Sequence, residues 1–81
     1  MAYDPTPTQF EEVRRILESA GVRHCWYSTE TGGDEALFFI PQANYRWINE
    51  RRLTSRLMDV LPDRKVWVTK FAADAPARQL F

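Results

Sequence analysis

"NYRWINERRLTSRLMDVLP", Asn44 to Pro62, decides how this chain folds. Leu53, Leu57, Val60 and Leu61 form an apolar stripe at helical spacing, and Pro62 closes it. Run backwards at about 100° per residue, the stripe passes through Glu50 and Arg46. It misses Tyr45, Trp47 and Ile48. With Leu57 as zero, Trp47 lies at roughly +80°, Tyr45 at roughly −120° and Ile48 at roughly 180°. The period breaks, and two readings are open. The helix starts at Asn49 as its N-cap, with "YRWI" a separate extended or looped segment, or it starts near Gln42 and displays these side chains outward.

Strand signals stand on both sides. "EALFFI" (35–40) is strongly apolar and is closed by Pro41. "KVWVTKF" (65–71) follows the turn "LPDR" and alternates. A helix between two strands implies a right-handed crossover and a parallel pair. Upstream, "VRHCWYS" (22–28) is rich in strand formers, and "TETGGD" (29–34) reads as the loop of an antiparallel hairpin.

Before the hairpin, Phe10, Val13, Leu17 and Ala20 recur on one helical face. Thr8 and Glu11 fit a capping box, so a helix is expected over 9–20. Glu11 with Arg15 and Arg14 with Glu18 are (i, i+4) pairs, and Gly21 is the left-handed stop. Residues 1–8, with Pro5 and Pro7, read as an extended lead-in, and 72–81 as a loosely ordered tail.

The fold expected is therefore α+β, one domain over residues 1–81, in the order α-β-β-α-β. Three strands form a mixed sheet with both helices on one face. Val66 and Val68 should face the helices; Lys65, Trp67, Thr69 and Phe71 should face away. The inner face of 22–28 and 35–40 is ambiguous, since both are apolar throughout. Either choice leaves one of Trp26 and Tyr27, and one of Phe38 and Phe39, on the outer face. That face needs a cover: a partner chain, a nucleic acid, or the tail through Leu80 and Phe81.

Composition bounds the function. The 81 residues bury about 60–65% of the unfolded surface, a modest core in which a deep cleft is hard to house. Aromatics make up 14% of the chain, more than so small a core easily hides. One cysteine, Cys25, excludes an internal disulfide and fits a reducing compartment. "MAYDPTPT" lacks the features of a signal peptide, and no apolar run reaches the ~18 residues of a membrane span. A cytoplasmic location is expected. Formal net charge is zero, yet residues 1–40 carry −4 (seven acidic, three basic) and 41–81 carry +4 (four acidic, eight basic).

Little in the chain points to catalysis. His24 and Cys25 are adjacent in a strand, so they face opposite ways and can neither chelate one ion nor pair as base and nucleophile. Glu30, Asp34 and Glu35 flank the hairpin tip without calcium-loop spacing. "TGGD" lacks the Gly-x-x-x-x-Gly-Lys pattern of a phosphate loop. No catalytic residue, metal or cofactor is expected.

The arginines among aromatics carry the stronger signal. Arg beside Trp and Tyr suits protein hot spots and also phosphate contact with base stacking. The candidate partner-binding residues are Tyr45, Arg46, Trp47, Arg51, Arg52, Arg56 and Trp67. On a continuous helix, Tyr45 would share a flank with Arg52 and Arg56, and Trp47 with Arg51 and Met58. The leading expectation is a non-enzymatic binding module acting through a protein–protein surface. Small cytosolic proteins of this kind are often inhibitors or adaptors, phage-encoded ones included. The rivals are a single-stranded nucleic-acid binder, which zero net charge disfavours, and a homodimer that closes the open sheet face.

The element order resembles that of KH-like RNA-binding domains, but the Gly-x-x-Gly loop that clamps the backbone there is missing. "LESAGVRH" is similar to the first helix and turn of HicA-type toxins. Their catalytic histidine follows Gly-Ser in the hairpin, and none stands in "TETGGDEA". Neither resemblance carries residues onto this chain.

Overall fold

The computed structural model of the chain describes residues 6–32 and 34–81. Its elements are α1 (Pro7–Ser19), β1 (Trp26–Ser28), β2 (Glu35–Ile40), α2 (Gln42–Tyr45), α3 (Glu50–Val60), β3 (Lys65–Lys70) and β4 (Ala77–Gln79). The class is α+β with a mixed sheet in the order β3-β2-β1-β4. Among the described residues the sheet has four strands, not three, and the additional one comes from the tail.

α1 starts two residues earlier than the capping pattern at Thr8 suggested. Thr6 is the N-cap: its Oγ1 accepts from the Gln9 N–H at 3.2 Å, and Gln9 Oε1 accepts from the Thr6 N–H at 3.2 Å. Pro7 does not block the helix, because at its first position the missing N–H has no helical partner to lose. The lead-in therefore reaches no further than Thr6, and residues 1–5 lie outside the described ones. Gly21, at φ +89°, closes the helix as expected. Its N–H donates to Glu18 O at 3.0 Å and the Val22 N–H to Leu17 O at 3.0 Å, a Schellman pair.

The strand pairings follow the chain order. β1 and β2 are antiparallel, with Trp26 opposite Phe39 and Tyr27 opposite Phe38. β2 and β3 are parallel, with Leu37 opposite Trp67 and Phe38 opposite Val68. This register settles the ambiguous faces. Tyr27, Ala36, Phe38, Ile40, Val66 and Val68 are buried in the core with Val13 and Leu17 of α1 and Leu53 and Leu57 of α3. Trp26, Leu37, Phe39, Trp67 and Thr69 occupy the other face.

The tail is a structural element. Residues 77–79 pair antiparallel with β1, Trp26 opposite Gln79 and Ser28 opposite Ala77. The Leu80 N–H donates to Cys25 O at 2.8 Å, and the Leu80 side chain is 4% exposed within the core. Phe81 packs against the core edge with the Arg14 guanidinium 5.3 Å from its ring. The composition of 72–81 hid this, because only Leu80 and Phe81 are strongly apolar and β4 is short.

β3 and β4 lie at opposite edges, so the link between them returns across the whole sheet. Phe71 opens that link on the face away from the helices, its ring 4.3 Å from Trp26 and 6.5 Å, edge-on, from Phe39. The helical link from β2 to β3 travels the other way on the opposite face. Both crossovers therefore turn in the same sense, as right-handed connectivity requires.

Candidate interaction surface

The break in period at "NYRWI" is a break in the chain. α2 is a single turn, Gln42–Tyr45, and α3 begins anew at Asn49. Asn49 is extended (φ −90°, ψ 97°), and its side chain accepts from the Arg52 N–H at 3.1 Å. The stripe's helix therefore starts at Asn49, and the alternative of one helix starting near Gln42 is corrected: residues 42–45 form a separate turn of helix, which includes Tyr45. No helix is continuous over 42–60.

That geometry sorts the three off-stripe residues. Ile48 turns in and packs against the core. Tyr45 is half-buried there; its hydroxyl donates to Glu50 Oε2 at 2.6 Å, and Lys70 Nζ lies 5.7 Å from its ring. The bond to the Glu50 carboxylate raises the Tyr45 pKa above its usual value, aided by burial and by the Glu50 charge. Trp47 points outward, 82% exposed, with the Arg46 guanidinium 5.8 Å from its ring.

The two flanks of α3 carry two grooves. On the α1 side, a groove of about 260 Å³ is lined by Ser19, Trp47, Asn49, Arg52 and Arg56 among others. Arg56 Nη1 donates to Ser19 Oγ at 3.2 Å. The described residues lining this groove include no carboxylate. On the other flank, a larger groove of about 750 Å³ runs between α3 and β3, lined by Arg51, Thr54, Met58, Val66, Trp67 and Val68 among others. Trp67 is 54% exposed and Met58 44%.

The structure thus brings Arg46, Trp47, Arg52 and Arg56 together, and separately Arg51 with Trp67. The flanks read from a continuous helix are corrected by the break at Asn49: Trp47 joins Arg52 and Arg56, not Arg51 and Met58. Tyr45 lines neither groove and serves mainly as a strut between Glu50 and the core. Met58 was absent from the candidate set, although its place on the Arg51 flank was readable from helical spacing. The open sheet face is partly covered from within, by Phe71 on Trp26 and Phe39.

The reactive side chains lie apart from these grooves. Cys25 is buried, and burial pushes its thiol up to about 12. His24 is exposed, 6.5 Å from the Trp26 ring. Among the described residues, no three His, Cys, Asp or Glu side chains are grouped to hold a metal ion. Among them too, no helix is long and apolar enough to cross a membrane.

Comparisons with protein-family models, with curated proteins and with solved structures find no match.

Proposed function

We propose that this chain is a non-enzymatic cytosolic binding module, an adaptor or inhibitor that acts through a protein–protein surface centred on α3. One observation carries the reading. Among the described residues, the large apolar side chains left exposed, Trp47, Met58 and Trp67, all border the two flanks of one helix. Single exposed hydrophobics are ordinary; grouped around one arginine-bearing helix, they match the composition of interface hot spots. A Trp side chain buries about 150–250 Å² in a contact, worth about 4–6 kcal/mol of transfer free energy before the costs of association. Arg46, Arg51, Arg52 and Arg56 supply the charge-bearing surround. The fit is to an acidic partner surface.

Affinity purification from the native cell tests this, with the wild type beside a Trp47→Ala/Arg51→Ala double variant and nuclease treatment in both. A partner retained by the wild type and lost by the variant supports the reading. An unchanged set of bound proteins and unchanged self-association contradict it.

A second reading rests on the α1-side groove, where Arg52 and Arg56 lie beside exposed Trp47. That arrangement suits a phosphate with a stacked base, as in single-stranded nucleic-acid binding. It predicts oligonucleotide affinity that falls steeply with salt. Absence of binding to mixed RNA and DNA oligonucleotides at low salt removes it.

A further inference from the structure

The sheet has two edges, and they are unlike. β4 is three residues long and carries Arg78 and Gln79. β3 is six residues long, without proline, and apolar through Val66, Trp67 and Val68. Its parallel pairing to β2 fixes which backbone groups are used. The Lys65 N–H donates to Asp34 O at 2.8 Å and the Phe71 N–H to Ile40 O at 2.8 Å. Odd-numbered residues of β3 therefore turn their N–H and C=O groups to β2. Val66, Val68 and Lys70 direct theirs to the outer edge, which has no neighbouring strand among the described residues.

That edge is one wall of the 750 Å³ groove, and α3 is the other. A strand laid along Val66–Lys70 would pair with the outward N–H and C=O groups. Its acidic side chains on the helix face would meet Arg51 and Lys70 beside Met58; its apolar ones on the opposite face would meet Trp67. Charge selects the occupant. β3 is bracketed by exposed Lys65 and Lys70. α3 runs back between the parallel strands, so Arg51 in its first turn lies toward the Lys70 end. Glu50, the carboxylate in the lining, already accepts the Tyr45 hydroxyl. A second copy would bring the same cations to the same edge. A segment alternating apolar and acidic residues is the complement.

We propose that the partner engages this chain by strand addition: an extended segment alternating apolar and acidic residues pairs with the free edge of β3 in the α3–β3 groove. This rests on the binding-module reading and names the mode of contact. The probe is a synthetic nine-residue peptide alternating valine with glutamate, set beside its lysine-for-glutamate counterpart. Both are titrated into the ¹⁵N-labelled full chain, with amide hydrogen exchange read residue by residue. The glutamate peptide slows exchange at Val66, Val68 and Lys70, whose N–H groups point outward, and the lysine peptide does not. Arg51→Glu, an exposed change, weakens binding about fivefold. Val68→Pro removes one outward N–H and spares the bonds to β2; it abolishes binding while the wild-type spectrum elsewhere is retained.

No protection at Val66 and Val68 up to millimolar glutamate peptide overturns the proposal. So does equal binding of the lysine peptide, or protection that appears with rising protein concentration alone, which makes the occupant a second copy. Shifts confined to Trp47, Arg52 and Arg56 overturn strand addition and leave the binding-module reading standing. If Val68→Pro unfolds the chain, the exchange pattern and Arg51→Glu decide.

Discussion

Leu80 is the second residue from the C-terminus, yet it is 4% exposed and belongs to the core cluster. Its removal should therefore be costly. Truncation of a buried leucine to alanine costs about 3–5 kcal/mol, the spread reflecting how far the cavity collapses. Leu80 sits at the edge of the core, where collapse is easier, so about 3 kcal/mol is the expectation. A domain of this length has about 4–12 kcal/mol of stability in all. Leu80→Ala should lower Tm by about 12–24 °C, taking about 4–8 °C per kcal/mol for a small domain. The backbone shares in the effect. The Cys25 N–H donates to Phe81 O at 3.2 Å and the Leu80 N–H to Cys25 O at 2.8 Å, so a loosened Leu80 also frees the outer edge of β1. Thermal melts by circular dichroism and urea titrations measure the change. A loss below about 1 kcal/mol, the range of an ordinary surface substitution, would refute the docked tail and with it the fourth strand.

Trp47→Ala and Trp67→Ala should each stay within about 0.5–1 kcal/mol of the wild type in the same urea titrations, since both side chains are largely exposed. A loss near that of Leu80→Ala would make them core residues and remove them as contacts. Asn49→Ala should cost about 1 kcal/mol by urea titration, through loss of the cap on the Arg52 N–H, and Asn49→Asp should retain most of it. Cys25 should resist a thiol reagent at pH 8 in the folded chain and react in urea, because burial holds its pKa near 12. The raised folded pKa also sets a sign: stability is unaffected by this group below its ordinary 9.0 and falls as pH rises from there toward about 12, read as a falling urea midpoint.

The parts of the fold with strong periodicity were legible in the sequence. The stripes through Val13 and Leu17 and through Leu53 and Leu57, the strand "EALFFI" and the alternation Val66-Trp67-Val68 gave two helices, the parallel pair and the buried valines. Local chemistry misled at the start of α1. Thr6 and Thr8 both offer a capping hydroxyl with a Gln or Glu three residues on. Pro7 tips the choice, since its fixed φ suits the first helical turn. β4 was illegible because its pairing is non-local. "ARQ" has no strand pattern of its own, and β1 supplies the bonds that order it. At the candidate site, the periodicity test found the misfit of Tyr45, Trp47 and Ile48 but not its resolution. The three non-helical residues Arg46, Trp47 and Ile48 between α2 and Asn49 rotate each side chain independently. Tyr45 and Ile48 could thus go inward while Trp47 went out.

The central claim is that the flanks of α3 are the binding surface. Hydroxyl-radical footprinting of the chain, alone and in its purified partner complex, reads that surface directly. Trp47, Met58 and Trp67 are exposed and oxidisable, and half-buried Trp26, stacked on Phe71, serves as the internal reference. The account predicts slower oxidation in the complex at Met58 and Trp67, at Trp47, or at all three, with Trp26 unchanged. Unchanged oxidation at all three exposed residues in a complex that protects other positions would contradict it.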